Sequence, residues 1–336
     1  MRIVLVGLGA LGQGLLAHLD ARGPDLLQAY GLRAKIVGAL DTSGAVVDPA
    51  GVEPGVLLRA KRSRAGLAGL QPSFRPGRRA LEIIHTVDAD AVVEVTPTNI
   101  LDGEPAMSHI RGALKARRHV VTANKGPIAL ARRFLVSLAE EQGVILKFSG
   151  TVGGGTPMLD LARQSLRGDR VVSIAGILNG TTNFILTRMF EGLDFAEALE
   201  EARRLGYAEA NPDSDVKGID PSLKLAILAN WTAGATLRPT DVSTQGIEGV
   251  TRADVDRAKA AGQVIKLLCR YDGSKARVAP ELLPVAHPLN VPGPLNAVTY
   301  TTEQLGDITL VGKGAGGRET SAALLRDLID IHLRTR

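Results

Sequence analysis

A short apolar strand that runs straight into Gly7-x-Gly9-x-x-Gly12 and then into a helical pattern, "RIVLVGLGALGQGLLAHL", constrains this chain more than any other feature. Glycine-rich turns are common, but this one, set between an N-terminal strand and a helix, opens a βαβ unit built around a dinucleotide. Gly7 permits the tight turn, Gly9 lets the backbone approach a pyrophosphate, and Gly12 lets the helix pack closely on its strand. Ala10 and Leu11 complete a helix N-terminus whose free N–H groups and dipole attract the anion. A second strand, "AKIVGAL", ends at Asp41. An acid there takes the ribose hydroxyls of NAD and disfavours the phosphate of NADP. Asp41 lies further from the glycines than the usual spacing of about 20 residues, so the first helix or the stretch "RGPDLLQAYG" after it is expected to be extended. The basic run "RAKRSR" (59–64) reads either as a solvated loop or as a loop that folds back, bringing Lys61 or Arg62 to a 2′-phosphate. NAD is favoured and NADP is possible.

Further strands, "ADAVVEVT", "RHVVTAN" and "GVILKFSG", alternate with helical stretches around 105–117 and 127–141. This alternation predicts an α/β fold with a Rossmann-type, doubly wound parallel sheet. Ligands meet such sheets at the carboxyl ends of the strands. "TPTN", with Thr96, Pro97 and Thr98, falls there, as does "TANKG", with Asn124 and Lys125. Lys125 is either the place where a substrate carbonyl meets a nicotinamide or a surface lysine after a strand. Beyond "TVGGGTPMLDLARQSL" the pattern changes. A strand, "VVSIAGILNG", precedes helices near 181–190, 194–205 and 220–235, then strands at 264–271, 276–283, 296–302 and 307–311. That is a second, α+β domain, and "GAGGRETSAALLRDLIDIHL" adds a closing helix.

Composition excludes several functions. With 336 residues, 45% apolar and 22% charged, the chain has length for two domains and a large core. A net charge of +5, spread along the chain, argues against nucleic acid as the main partner. The single cysteine, Cys269, alternates with Ile265, Leu267 and Tyr271 on one strand face and reads as a buried structural thiol in a reducing compartment. The six histidines show no metal-ligand spacing. No apolar run reaches membrane-spanning length, and "MRIVLVG" begins with a strand rather than a signal peptide, so a cytoplasmic protein is expected.

In "GIDPSLK", Asp220 suits a helix N-cap and Pro221 the first helical position, which sets Lys224 one turn above Asp220 on the same face. Locally this is a capped helix with a solvated i,i+4 pair. The alternative is an acid and an amine placed for chemistry.

Taken together and in order, "GLGALGQGLL", "VTANKGPIA", "TVGGGTPML", "GILNGTTNFIL", "LGYAEANPDSDVKGIDPSLKLAIL", "HPLN…NAV" and "GKGAGGRETSAALLRDL" resemble the homoserine dehydrogenase family over nearly the whole chain. The resemblance implies NAD(P)-dependent hydride transfer between L-aspartate 4-semialdehyde and L-homoserine, on the route to threonine, methionine and isoleucine. It implies that Lys125 and Lys224 polarise and protonate the reacting oxygen and that Asp220 orients Lys224. Glu209 and Asp215 become the acids for the substrate ammonium, with Asp213 only solvated, and Asn179, Gly180, Thr181 and Tyr207 become substrate contacts. Gly314, Ala315 and Gly316 of "GKGAGG" close over the nicotinamide. The nucleotide domain is then discontinuous, 1–150 with 312–336, around a substrate-binding and dimerisation domain, 151–311, that makes a homodimer.

Two departures bear on these expectations. Family members bind a monovalent cation, sodium, through backbone carbonyls that fall here at Val152, Gly154 and Thr156, with help from a glutamate. Ser149 stands at the glutamate position and lacks the charge. The chain also ends after the last helix, so no C-terminal regulatory domain, and no inhibition by threonine through one, is expected. Rival readings are another NAD(P)-dependent amino-acid or semialdehyde dehydrogenase and a non-catalytic NAD(H) sensor. Cys269 is misplaced for a thiol-dependent enzyme, and no DNA-reading module accompanies the nucleotide motif.

Overall fold

The computed structural model describes all 336 residues, which divide into two compact units, Met1–Thr151 with Gly317–Arg336, and Val152–Gly316. In the first unit the chain runs β1 (Arg2–Val6), α1 (Ala10–Tyr30), β2 (Lys35–Asp41), β3 (Gly44–Val52), α2 (Pro54–Arg62), β4 (Phe74–Pro76) and α3 (Ala80–Thr86). It continues through β5 (Ala91–Glu94), α4 (Ala106–Lys115), β6 (His119–Thr122), α5 (Lys125–Glu141) and β7 (Leu146–Lys147). The seven strands lie in the order β4-β3-β2-β1-β5-β6-β7. β2, β1, β5, β6 and β7 are parallel, while β3 and β4 add an antiparallel edge. The parallel strands are continuous apolar runs because both faces are covered. Ile3 and Leu5 join one core with Leu15 and Leu16 of α1 and with Leu324, Leu325 and Leu328 of the C-terminal helix. Val4 turns the other way, towards Ile83. The strand order reverses between β2 and β5 around β1, which puts a topological switch point at the end of β1.

Local rules fail in instructive places. α1 runs 21 residues, straight through Pro24, which accounts for the wide spacing between the glycines and Asp41. "RAKRSR" is not a loop: Arg59 to Arg62 form the last turn of α2, where basic side chains favour a helix C-terminus. "GVILKFSG" yields only the two residues of β7 before a 3₁₀ turn at Ser149–Thr151.

The second unit comprises α6 (Met158–Asp160), β8 (Val171–Ile177), α7 (Gly180–Glu191), α8 (Phe195–Arg204), α9 (Asp213–Val216) and α10 (Ile219–Thr232). β9 (Val242–Thr244), α11 (Arg252–Ala260), β10 (Gln263–Tyr271), β11 (Ala276–Pro284), β12 (Leu295–Thr302) and β13 (Gly306–Lys313) follow, and the chain then returns to the first unit as α12 (Gly317–Arg334). Its sheet has the order β13-β12-β8-β10-β11-β9 and is antiparallel except for the β11–β9 pair. α7, α10 and α11 pack on β10, and Cys269 is fully buried there, its Sγ 3.8 Å from the Pro221 carbonyl. Burial pushes the thiol up to about 12, so it is inert. Because β13 continues to Lys313, residues 312 and 313 belong to this sheet.

Candidate functional site

In the first unit the glycine turn sits at the switch point. Gly7 has φ +105°, and a Cβ on it would lie 2.7 Å from the Val95 carbonyl oxygen, so only glycine fits. A Cβ on Gly12 would strike the Gly7 carbonyl, which is the close packing of helix on turn. Around Gly9 the backbone is open: beyond its immediate chain neighbours, nothing comes within 4 Å of the Cβ position. Gly9 is the N-cap of α1 and offers no side-chain cap, so the N–H groups of Ala10, Leu11 and Gly12 remain available to an anion. These residues fit the pyrophosphate of a dinucleotide.

Asp41 ends β2 and meets Lys61 of α2 in an ion pair, and it also accepts from the Ser43 N–H at 2.8 Å. Burial pushes the carboxyl up, but the bonds from Lys61 and Ser43 outweigh it and hold the group below its ordinary value. The two residues expected to choose between NAD and NADP therefore face each other.

At the ends of β5 and β6 lies a polar network that sequence reasoning missed. Glu94 is fully buried, and its Oε1 accepts from the N–H of Thr96 at 3.1 Å and from the Thr96 hydroxyl. Thr122 Oγ1 donates to the Glu94 carbonyl at 2.9 Å, and His109 Nδ1 stands 3.6 Å from Oε1. Asn124 caps α5 by accepting from the Gly126 N–H, and its Nδ2 donates to the carbonyls of Thr96 (3.1 Å) and Pro97 (3.3 Å). The Asn124 amide is thus occupied in tying the two strand-end turns together, while Pro97 and Thr98 are exposed. Lys125 is the first residue of α5 and is half-buried. An acid closing the apolar run "AVVE" was the available signal for Glu94.

In the second unit the pair from "GIDPSLK" is not solvated. Lys224 Nζ lies 2.6 Å from Asp220 Oδ2 with both side chains largely buried, and it donates to the Leu178 carbonyl at 2.9 Å. Asp220 is not the N-cap. That position belongs to Gly218 at φ +80°, and Asp220 stands inside the first turn. A Cβ on Gly218 would come within 2.9 Å of the Thr244 methyl, so the left-handed turn and the packing both call for glycine. The Asp220 carboxylate, released from capping, serves Lys224 and Asn179 instead. Asn179 Nδ2 donates to Asp215 Oδ1 at 2.6 Å and to Asp220 Oδ2 at 2.9 Å, while its Oδ1 caps α7 through the Thr182 N–H. Burial, and next the neighbouring Asp220 carboxylate, push Asp215 above its ordinary value.

Thr181 Oγ1 donates to the Tyr207 carbonyl at 2.7 Å, and the Tyr207 ring packs on Phe184. Glu209 is exposed and no hydrogen bond or ion pair draws it into this cluster. Asp213 pairs with Lys217 on the surface. Among the carbonyls named for a cation, that of Thr156 accepts from the Met158 N–H at 2.8 Å, and the Ser149 hydroxyl is held by Asp327 at 2.6 Å. Gly314, Ala315 and Gly316 form an irregular segment after β13. A second buried lysine, Lys266, donates to Asn183 Oδ1, the Val291 carbonyl and Thr187 Oγ1, with no carboxylate among its partners.

A dinucleotide-type parallel sheet and a separate unit carrying a buried lysine with two amide-linked carboxylates define an NAD(P)-dependent oxidoreductase. The comparisons narrow the class. Family models described as homoserine dehydrogenase, NAD binding domain, and homoserine dehydrogenase match residues 7–149 and 157–329. The chain is 41% identical to a homoserine dehydrogenase of Methanocaldococcus jannaschii over 100% of both chains. It is also 41% identical to an NAD(+)-dependent homoserine dehydrogenase of Pseudomonas canavaninivorans over 98% of this chain and 96% of that one. A hyperthermophilic archaeal homoserine dehydrogenase in complex with NADPH superposes with a TM-score of 0.86 at 28% identity, covering 99% of this chain and 98% of that one. This chain belongs to the homoserine dehydrogenase family. No helix is long and apolar enough to cross a membrane.

Proposed function

We propose that this protein interconverts L-aspartate 4-semialdehyde and L-homoserine, with Lys224 acting on the reacting oxygen. The observation that carries the assignment is the buried Lys224 ammonium, held by Asp220 and the Leu178 carbonyl. Those two partners use two of its three N–H donors, which leaves one for a substrate oxygen. As a carbonyl becomes an alkoxide it gains negative charge, so a fixed ammonium is worth more in the transition state than in the ground state. The same group is placed to give that oxygen a proton, while Asp220 holds the side chain in position. Asp215, linked to Asp220 through Asn179, is the carboxylate for the substrate ammonium, with Glu209 as a second. Lys125 carries the second lysine role that the family resemblance names, and the same resemblance makes Thr96 to Thr98 of the first unit, and Gly314 to Gly316 of the second, contacts of the cofactor. Bound at the glycine turn, the cofactor supplies or accepts the hydride.

The domain roles follow the same division: a nucleotide domain that includes α12, and a substrate-binding domain whose sheet pairs in a homodimer. That sheet has a half-exposed polar face, with Arg270, Ala175, Thr299 and Thr309 in one row. NAD is the favoured cofactor, because Asp41 ends β2 where an acid takes the ribose hydroxyls, and NADP, whose 2′-phosphate Lys61 could meet, is the alternative. A monovalent cation on the carbonyls of Val152, Gly154 and Thr156 would lack an acidic side chain at Ser149. The protein is assigned to the cytoplasm.

The test is NADH absorbance with L-homoserine as substrate, NAD against NADP, for wild type and Lys224→Ala. Turnover by the wild type that is lost in the variant, with cofactor binding kept, supports the assignment. Wild-type protein that turns over neither cofactor overturns the activity, and a fully active variant overturns the role of Lys224. Light scattering that returns a monomer mass removes the homodimer.

A further inference from the structure

Asn296, from the "NAV" stretch of β12, is fully buried, yet neither its Oδ1 nor its Nδ2 has a hydrogen-bond partner. A carboxamide buried with both ends idle destabilises a fold and is rare in native proteins unless something else uses it. Its surroundings show what could. The register pairs Ala297 with Ile177, so Asn296 lies beside the point where β8 ends and the chain passes through Leu178 and Asn179 to Gly180. That three-residue passage carries the proposed site: Leu178 holds Lys224, and Asn179 holds Asp215 and Asp220. A Cβ on Gly180 would lie 3.6 Å from Asn296 Oδ1, and a Cβ on Gly314 would overlap the Asn296 amide itself. Two glycines, one opening α7 and one in "GKGAGG", thus leave the amide framed by bare backbone.

We infer that Asn296 is a ligand-recognition residue for a group that presents a hydrogen-bond donor and an acceptor side by side. The inference rests on the proposed reaction, whose ligands offer that pattern twice. One is the primary carboxamide of the nicotinamide, and the other is the ammonium–carboxylate head of the amino-acid substrate. Either complements an amide that brings one acceptor and one donor. The idle amide persists because it works only when the ligand is present, so stability and recognition should separate on substitution.

The experiment compares wild type with Asn296→Leu, which keeps the shape and removes both polar atoms. NADH binding is followed by fluorescence, and L-homoserine binding by calorimetry on protein saturated with NADH, so neither readout needs turnover. The expected result is a melting temperature equal to or above wild type, with one dissociation constant raised about tenfold or more. A rise for NADH assigns the carboxamide; a rise for homoserine assigns the amino-acid head. Asn296→Ala, which cannot clash with Gly314, repeats both titrations should the leucine variant fail to fold. Both constants staying within about twofold of wild type in a folded variant would overturn the inference. Absence of wild-type turnover is a separate result and bears on the proposed activity alone.

Discussion

Lys224 and Lys266 are both buried in the second unit, at 7% and 3% exposure, and the protein handles the two charges in opposite ways. Lys224 is given a carboxylate at 2.6 Å and one carbonyl, and it retains a free N–H. Lys266 is enclosed by neutral oxygens of Asn183, Thr187 and Val291, which occupy all three of its donors. Burial pulls Lys266 down to about 8 and outweighs the upward influence of Glu191. Burial alone therefore does not prepare a lysine for chemistry. A paired carboxylate aims the Lys224 amine and leaves it a donor, whereas a cage of neutral acceptors makes Lys266 a clamp between α7 and the segment around Val291.

The sharpest way to break this contrast is to remove the two amines in turn. Lys224→Ala should lower turnover by about a thousandfold with NADH binding intact, the scale of a lost acid–base and charge-stabilising group. Equal losses in Lys224→Ala and Lys266→Met would abolish the distinction. Asp220→Asn, which leaves Lys224 beside a neutral amide, should cost about a hundredfold in turnover, and wild-type rates in that variant would remove Asp220 from any orienting role.

Lys266 should reveal itself through stability rather than rate. Below pH 8 it is charged in both the folded and the unfolded chain. Between about 8 and 10.5 the folded chain releases a proton that the unfolded chain keeps, so stability rises with pH across that window. Relative to Lys266→Met, the wild type should gain on the order of 3 kcal/mol between pH 7 and 10 in denaturant titrations. A flat difference would show that the cage does not depress the lysine.

Lys61 supplies a third, shallower case, since its pair with Asp41 is partly open to solvent. Asp41→Ala should shift the NAD-to-NADP ratio of kcat/KM by only about tenfold towards NADP, and an unchanged ratio would take Asp41 out of cofactor choice. The smallest effect is a null one. Cys269, buried and pushed up to about 12, should resist thiol reagents at pH 8 until the protein unfolds, and rapid labelling of native protein would contradict its burial.

What could be read from the chain was local. The glycine spacing at Gly7, Gly9 and Gly12, the acid ending a strand at Asp41, and the i,i+4 relation of Asp220 to Lys224 each lie within one or two turns. The sequence could not show that this last pair is buried, because Leu178 and Asn179 arrive from 46 and 41 residues away. Glu94 was hidden because its partners Thr122 and His109 sit on other elements, and Asn296 because its significance lies in bonds it does not make. Where a local rule was followed too far, a competing demand prevailed. Asp220 looked like a cap, but Gly218 already turns the chain and the carboxylate is worth more beside an ammonium. Asp41 and Lys61 were each legible as candidates, while their mutual pairing was not.

The route by which α12 rejoins the first unit sets a timetable for synthesis. Leu324, Leu325, Leu328 and Ile331 complete the core that Ile3, Leu5 and Leu15 begin, yet they leave the ribosome only after all of Val152–Gly316. Domains generally mature in the order in which they emerge. Here the interposed unit can reach its native state first, while the nucleotide sheet waits with one flank of its core uncovered. A chain truncated after Gly316 and released from the ribosome should therefore hold a protease-resistant second unit behind an N-terminal half still open to holdases.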